Sequence, residues 1–379
     1  MSGSEEWDFG AVGETSVQDE ASGVELLRAR LRPVPAAPTV EPEVAEEVVR
    51  PHGVRAADLS GHAGVTAQVA PSRGWRAAAH RVGLKVRPSK EELELRRDTQ
   101  AITRTLPGPV LIGVANVRGG VGKTTSTIAL ASALGFHRGG GVAVADIWPR
   151  GNIGSQTVDH GSRLSIVDFV EDLPNLLAPT TRAGDVASYL RFQPSGKFGV
   201  LAAPEEIVAE DDTGAVRMMR STMTGHQVHG VIEVLQRFHQ IVLVDSGNND
   251  ADEAWRAAVE RMDQLVIPVR WTKDAVTGAA QVLETLTDTG YEELASSAIL
   301  VATHGRADLD KVPAATARQR REFFLEAGHT IIDLPSDPLI AAKGVIEFDG
   351  LHEATRRAAL RLGAAVMDRV ATRPRPRKR

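Results

Sequence analysis

The sequence predicts an α/β fold, a mostly parallel sheet flanked by helices, with a disordered N-terminal arm in front of it. Three observations predict this. From residue 109 onward, short apolar runs alternate with stretches of helical spacing, the pattern of strands joined by helical crossovers. The first run, Val110 to Val114, leads into the glycine-rich stretch Arg118-Gly-Gly-Val-Gly-Lys-Thr-Thr125, which opens a helical segment. The first 70 residues have a different composition. Through position 50 there are eleven acidic residues and four arginines, and Pro33, Pro35, Pro38 and Pro42 stand close together. Such a segment buries too little apolar surface to offset the entropy of ordering it.

The glycine stretch is the chemical centre. Strand, glycine loop and helix form the context of a phosphate-binding loop. Gly119, Gly120 and Gly122 let backbone N–H groups curl around phosphate oxygens without Cβ clashes, with Val121 and Thr125 completing the cradle. The helix N-terminus adds positive dipole. Lys123 is placed to reach the β- and γ-phosphates, and the Thr124 hydroxyl to ligate Mg²⁺. These residues predict a P-loop NTPase. The run Val242-Leu-Val-Asp245 is an apolar strand ending in a carboxylate, which in such proteins touches Mg²⁺ directly or through water. Thr124 and Asp245 are therefore the predicted metal residues.

Four segments follow in order. Residues 1–70 are the acidic, proline-rich arm, a solvated tail or a protein-binding segment. Residues 71–108 are a basic helical adaptor. Gly74-Trp75-Arg76 begins a short basic stretch, and Ser89-Lys-Glu-Glu92 has the capping-box pattern for a helix toward Thr103, ended by Pro107-Gly108-Pro109. Residues 109–371 are the nucleotide-binding domain. Strands are predicted at 110–115, 142–146, 198–202, 239–244, 265–269, 298–303 and 329–333. Helices are predicted at 123–135, 165–172, 227–237, 251–261, 274–287, 313–326 and 352–371. Residues 204–225 show no period and read as a surface excursion. The last helix carries Ala354, Ala358, Leu362, Val366 and Val370 as its core stripe, and Arg356, Arg357, Arg361 and Arg369 on other faces. Residues 372–379 form a tail with five basic residues in its last seven, either a solvated end or a patch for nonspecific DNA or anionic lipid.

Bulk properties exclude several classes. The chain has 379 residues, no cysteine and a net charge of −5. That rules out disulfides, thiolate zinc sites and Cys-held iron–sulfur clusters, and nothing global demands nucleic acid. The sequence shows no signal peptide and no apolar run near 18 residues, so a cytoplasmic location is expected.

One departure narrows the loop. The residue where the general phosphate-loop pattern has its first glycine is Val117. Arg118-Gly-Gly-Val-Gly-Lys-Thr instead resembles the deviant Walker A loop, K-G-G-x-G-K-[ST], of the ParA/MinD ATPases. The resemblance spans about 110–370 and implies ATP and Mg²⁺ as cofactors and a homodimer in the ATP state. It places Arg118 where the family's lysine crosses to the partner's phosphates. Asp245-Ser-Gly matches the family's D-[ST]-G switch. Asp146-Ile-Trp-Pro-Arg-Gly-Asn152 resembles D-x-D-P-x-G-N, so Asp146 matches the first acid, and Lys123, Arg118 and Asp146 are the implied catalytic residues. Trp148 stands where the second acid helps to position the attacking water. Pro335, after a late strand, matches a loop that packs on adenine. A narrower likeness lies in Gly74-Trp-Arg, Ser89-Lys-Glu-Glu-Leu, Asp337-Pro-Leu and Gly344-Val-Ile-Glu-Phe348. It is to actinobacterial MinD-like ATPases with proline-rich arms, some linked to type VII secretion loci.

Two readings stay open. One is an ATP-dependent dimerising switch ATPase serving partition, positioning or a secretion apparatus, with a protein partner on the arm. The other is an ATP-bound scaffold that does not hydrolyse, favoured by Trp148. The tail has Pro and Arg in place of bulky apolar residues, which argues against a MinD-type membrane anchor. A bacterial tyrosine kinase is discounted, because Tyr189 and Tyr291 are internal and form no terminal cluster.

Overall fold

In a computed structural model of the chain, the described residues are 87–148, 151–159, 161–204, 208–210, 216–218, 223–247, 252–303 and 312–372. The predicted arm, the first half of the adaptor and the last seven residues of the basic tail lie outside them.

The strands are β1 (Val110–Val114), β2 (Val142–Asp146), β3 (Arg191–Gln193), β4 (Phe198–Leu201), β5 (Val208–Glu210), β6 (Val216–Met218), β7 (Ile241–Asp245), β8 (Gln264–Val269), β9 (Ile299–Thr303) and β10 (Thr330–Leu334). Eight of them form one sheet in the order β10-β9-β8-β1-β7-β2-β4-β3, with β5 and β6 a separate two-stranded pair. All neighbours in the large sheet run parallel except β3, which is antiparallel to β4. The central strands are buried throughout, as parallel strands covered on both faces must be. Along β1, Leu111 faces one core while Val110, Ile112 and Val114 face the other.

The helices are α1 (Lys90–Thr103), α2 (Lys123–Arg138), α3 (Ile166–Glu171), α4 (Leu173–Leu176), α5 (Ala183–Ala187), α6 (Gly225–Phe238), α7 (Glu253–Val259), α8 (Lys273–Asp288), α9 (Glu292–Ser296), α10 (Ala314–Glu326), α11 (Pro338–Ala341) and α12 (Glu353–Thr372). Helices α1, α2 and α12 supply the core on one face of the sheet. Helices α3 to α10 supply the core on the other. Among the described residues, the α/β class with a mostly parallel sheet flanked by helices is the one read from the sequence.

Details differ from the expectation. Helix α1 starts where expected, with Ser89 Oγ accepting from Glu92 N at 3.1 Å. It packs into the core through Ala101 and Ile102, and Arg104 pairs with Asp368 of α12 at 3.3 Å. The predicted helix 165–172 breaks at Asp172, which ends α3 and begins α4. Strand β3 was not anticipated, because three residues give no measurable period. The excursion at 204–225 contains β5 and β6 and the start of α6, where Thr224 and Gln227 form a capping box.

The core stripe of α12 is corrected. Ala354 is exposed and Ala358 half-buried, while Thr355, Ala359, Gly363 and Met367 are buried together with Leu362, Val366 and Val370. A period of four advances about 40° past a full turn at each step, so such a row drifts off the face it starts on. The arginines of α12 are also engaged. Arg357 pairs with Glu91 and Glu353, and Arg361 with Glu94. These contacts tie α12 to α1.

Candidate functional site

The loop between β1 and α2 lies at the C-terminal ends of the parallel strands. Gly120 and Gly122 have φ of 75° and 90°, a left-handed backbone that glycine adopts without penalty. Nothing lies within 4 Å of where a Cβ would sit on Gly120, so its backbone faces open space. Gly122 ends the loop as N-cap of α2. Two residues unremarked in the sequence hold the loop from behind. Asn116 Oδ1 accepts from Arg118 N at 2.9 Å, and its Nδ2 donates to Pro268 O at 2.8 Å. Thr303, at the end of β9, donates to Val121 O at 2.7 Å.

Lys123 Nζ donates to Asn116 O at 2.8 Å and to Arg118 O at 3.0 Å. Burial lowers its pKa, while the Asp245 carboxylate works against that fall. Thr124 Oγ1 contacts Asp245 Oδ2 at 2.8 Å and Asn152 Oδ1 at 3.1 Å. The three side chains come from α2, the end of β7 and the segment after β2.

Strands β2 and β7 are neighbours in register, so Asp146 and Asp245 stand side by side. Burial pushes Asp245 up to about 6, against the Thr124 hydrogen bond and the Lys123 charge. Asp146 is pushed well above the usual carboxylate range, first by burial and then by Asp245. Backbone N–H groups of Trp148 and Ile153, each at 3.4 Å, partly offset this. Gly151 passes so close to Asp146 that any Cβ there would overlap its carboxylate. Two buried carboxylates beside a hydroxyl suit a small dication, which would neutralise both and relieve the cost of their burial. With the open glycine backbone and Lys123, these residues fit a Mg²⁺–nucleotide.

Trp148 lines the same cleft, of about 340 Å³, with Gly119, Lys123, Thr124 and Asp245. Its indole lies on Gly247, where an added Cβ would come within 2.8 Å of the ring. It therefore joins the segments after β2 and β7. Asn248, Asn249 and Asp250, which follow Gly247, lie outside the described residues.

A larger cleft of about 660 Å³ adjoins this one, lined by Gly120, Thr125, Arg270, Pro335, Ile340 and Lys343 among others. Pro335 thus lines the same cleft as the loop residues Gly120 and Thr125. Asp337 anchors this wall. It accepts from Leu339 N at 3.0 Å, His352 N at 2.9 Å and Thr355 Oγ1 at 2.7 Å. Burial raises its pKa, but these hydrogen bonds together outweigh that and hold it below the usual value.

Arg118 is not in the cleft. Its guanidinium pairs with Asp274 at the start of α8, at 3.1 Å, and both side chains are more than half exposed. The predicted residues Gly119, Gly120, Gly122, Lys123, Thr124, Thr125, Asp146 and Asp245 are gathered around one cavity, whereas the predicted Val121 is buried behind it and Arg118 stands outside it. Asn152 and Thr303 join them from distant positions, and Asn116 from the segment just before the loop. Among the described residues no cluster of His, Cys, Asp and Glu has the makings of an independent metal site.

A family model described as an AAA domain matches residues 110–296. The ESX-1 secretion-associated protein EspI of Mycobacterium tuberculosis, in strains CDC 1551 and H37Rv, is 27% identical over 305 residues, covering 79% of this chain. The chain spans 43% of the length of these curated relatives. Among solved structures, a ParA family ATPase from Chlorobium tepidum TLS aligns over 68% of this chain and 98% of its own, with 15% identity and a TM-score of 0.51. That likeness shows that the described core of this chain shares the fold of the ParA family ATPase. No described helix is long and apolar enough to cross a membrane.

Proposed function

We propose that the chain is an ATP-binding switch of the ParA/MinD type, which dimerises when Mg²⁺–ATP is bound and serves a secretion or positioning apparatus. The observation that carries this reading is the junction of Thr124, Asp245 and Asn152 beside the open glycine loop. It brings the two switch segments to one hydroxyl, so a ligand there is felt by both. When bound, Mg²⁺ supplies charge neutralisation between the phosphates. Lys123 exchanges its loop carbonyls for phosphate oxygens, Thr124 and Asp245 hold the metal, and Asp146 holds the segment from Trp148 to Ile153 in place. Pro335 and its neighbours receive the base. Arg118 leaves Asp274 and crosses to the partner's phosphates. The secretion role rests on the likeness to EspI, a secretion-associated protein.

A second reading is a scaffold that binds ATP and hydrolyses it slowly or not at all. Its observation is the indole of Trp148 on Gly247 in the phosphate cleft, where the family's second acid would stand.

Equilibrium binding of a fluorescent ATP analogue tests the first reading. Lys123→Ala is expected to lower affinity roughly 10- to 150-fold, the range for losing a charged hydrogen bond. Unchanged affinity in a folded variant removes the phosphate-loop assignment. Phosphate release by the purified protein separates switch from scaffold.

A further inference from the structure

We infer that Gln156 reads the ribose of the bound nucleotide and sets a preference for ribonucleotides over deoxyribonucleotides; this rests on the proposed nucleotide site. The phosphate cleft and the larger cleft beside it share four residues: Gly120, Thr125, Asn152 and Gln156. A nucleotide with phosphates on the loop and base beside Pro335 places its sugar at that junction, because the ribose covalently joins the two. Of the four, Gly120 has no side chain. Asn152 presents its Oδ1 to Thr124. Thr125 sits in the first turn of α2. Gln156 is the remaining long polar side chain.

Its backbone is bonded at both N–H and carbonyl. Gln156 N donates to Ile153 O at 3.1 Å, and Gln156 O accepts from Ile346 N at 2.9 Å. The second bond ties the 3-10 turn Gly154–Gln156 to the chain that follows α11, on the base side of the cleft. The first bond closes the turn itself, so the position is held to the base-side wall, while the side chain is half-buried and lines both clefts. A primary amide carries one acceptor and two donors. A ribose presents two adjacent hydroxyls, each a donor and an acceptor, so one amide can serve the pair. Removing the 2′-hydroxyl leaves part of that amide unpaired in a half-closed cleft, and a site built to bond a hydroxyl discriminates against its absence.

The experiment uses the full-length chain with Mg²⁺ and compares the affinities of ATP and 2′-deoxy-ATP by calorimetry. Wild type is expected to prefer ATP by about 3- to 10-fold, the worth of one neutral hydrogen bond. Gln156→Leu is expected to bring ATP down to the affinity of 2′-deoxy-ATP, with the latter almost unchanged. Gln156→Ala serves as a second variant should leucine disturb the turn, since either keeps both backbone bonds. Equal affinities in wild type, or an undiminished preference in a folded variant, overturn the assignment of Gln156 while leaving the nucleotide site intact. Failure of wild type to bind either nucleotide overturns the site itself and this inference with it.

Discussion

At the scale of single residues, the site is a balance between buried charge and the ligand that would relieve it. Asp245 is the sharpest case. Its carboxyl in the folded protein titrates near 6, raised by burial, whereas an unfolded Asp titrates near 4. Between those values the folded state holds the extra proton. Asp245 should therefore add to the stability of metal-free protein as pH falls from about 6 to about 4, and add nothing further below that. The span is on the order of 3 kcal/mol. Asp245→Asn should reduce this dependence to the share that buried Asp146 supplies, raise metal-free stability at neutral pH and cost Mg²⁺-dependent nucleotide binding. Thermal melts from pH 4 to 8 decide it, and a variant that keeps the wild-type slope rules Asp245 out as its source. Trp148 is the second case. An indole has no acceptor to offer a water in line with the γ-phosphate, so intrinsic turnover should be slow. Because the ring is half-buried and rests on Gly247, shortening it leaves the segment's anchors at Asp146 in place. Trp148→Asp should raise phosphate release, up to about 10²-fold if the carboxylate takes up water positioning. Brisk wild-type turnover, unaffected by changes at Trp148, would place the water elsewhere.

At the scale of elements, what was legible in the sequence was what is local. The loop 118–125 and the strand ending at Asp245 announce themselves because glycine, lysine and hydroxyl spacing along a few residues specify the chemistry. The buttress of Thr303 on Val121 joins residues 182 positions apart, and nothing near either residue points to the other. The pairing of Asp146 with Asp245 likewise depends on β2 lying beside β7, a consequence of strand order. The stripe of α12 was misplaced at Ala354 because a four-residue row drifts around the helix, whereas the buried face includes Thr355, whose hydroxyl is satisfied by Asp337. That contact makes Asp337 the clamp between α11 and α12. In Asp337→Asn one oxygen becomes a donor facing N–H or O–H groups, at a cost of about 1–3 kcal/mol. Because the folded pKa of Asp337 lies below the unfolded value, its contribution is present above about pH 4 and lost as pH falls through the folded pKa. Denaturant melts should show the wild-type advantage at pH 7 shrinking under acid. An advantage that stayed constant would mean that the charge on Asp337 plays no part.

At the scale of the whole molecule, the question is how a single chain becomes a nucleotide-dependent dimer. The glycine loop and switch segments open at one end of the sheet, and Arg118 lies outside the cleft in contact with Asp274. Both partners are more than half exposed, so this ion pair contributes at most about 1 kcal/mol and is readily given up. Two phosphate oxygens of a partner's nucleotide, gripped by the guanidinium fork in a desolvated interface, hold it more firmly than a solvated carboxylate does at the surface. Arg118 makes no contact that shapes the chain's own phosphate cradle beyond its backbone: Arg118 N bonds Asn116 and Arg118 O accepts from Lys123. Both of those survive substitution. Arg118→Ala should therefore leave ATP affinity of the monomer largely unchanged. It should weaken ATP-dependent dimerisation by roughly 10- to 150-fold, the worth of a hydrogen bond to a charged group. Arg118→Lys should fall between the two, since an ammonium keeps the charge without the fork. Light scattering across a concentration series, with and without Mg²⁺–ATP, reads the monomer–dimer constant directly. If Arg118→Ala dimerises like wild type, Arg118 is a surface partner of Asp274 and the cross-dimer contact belongs to another residue.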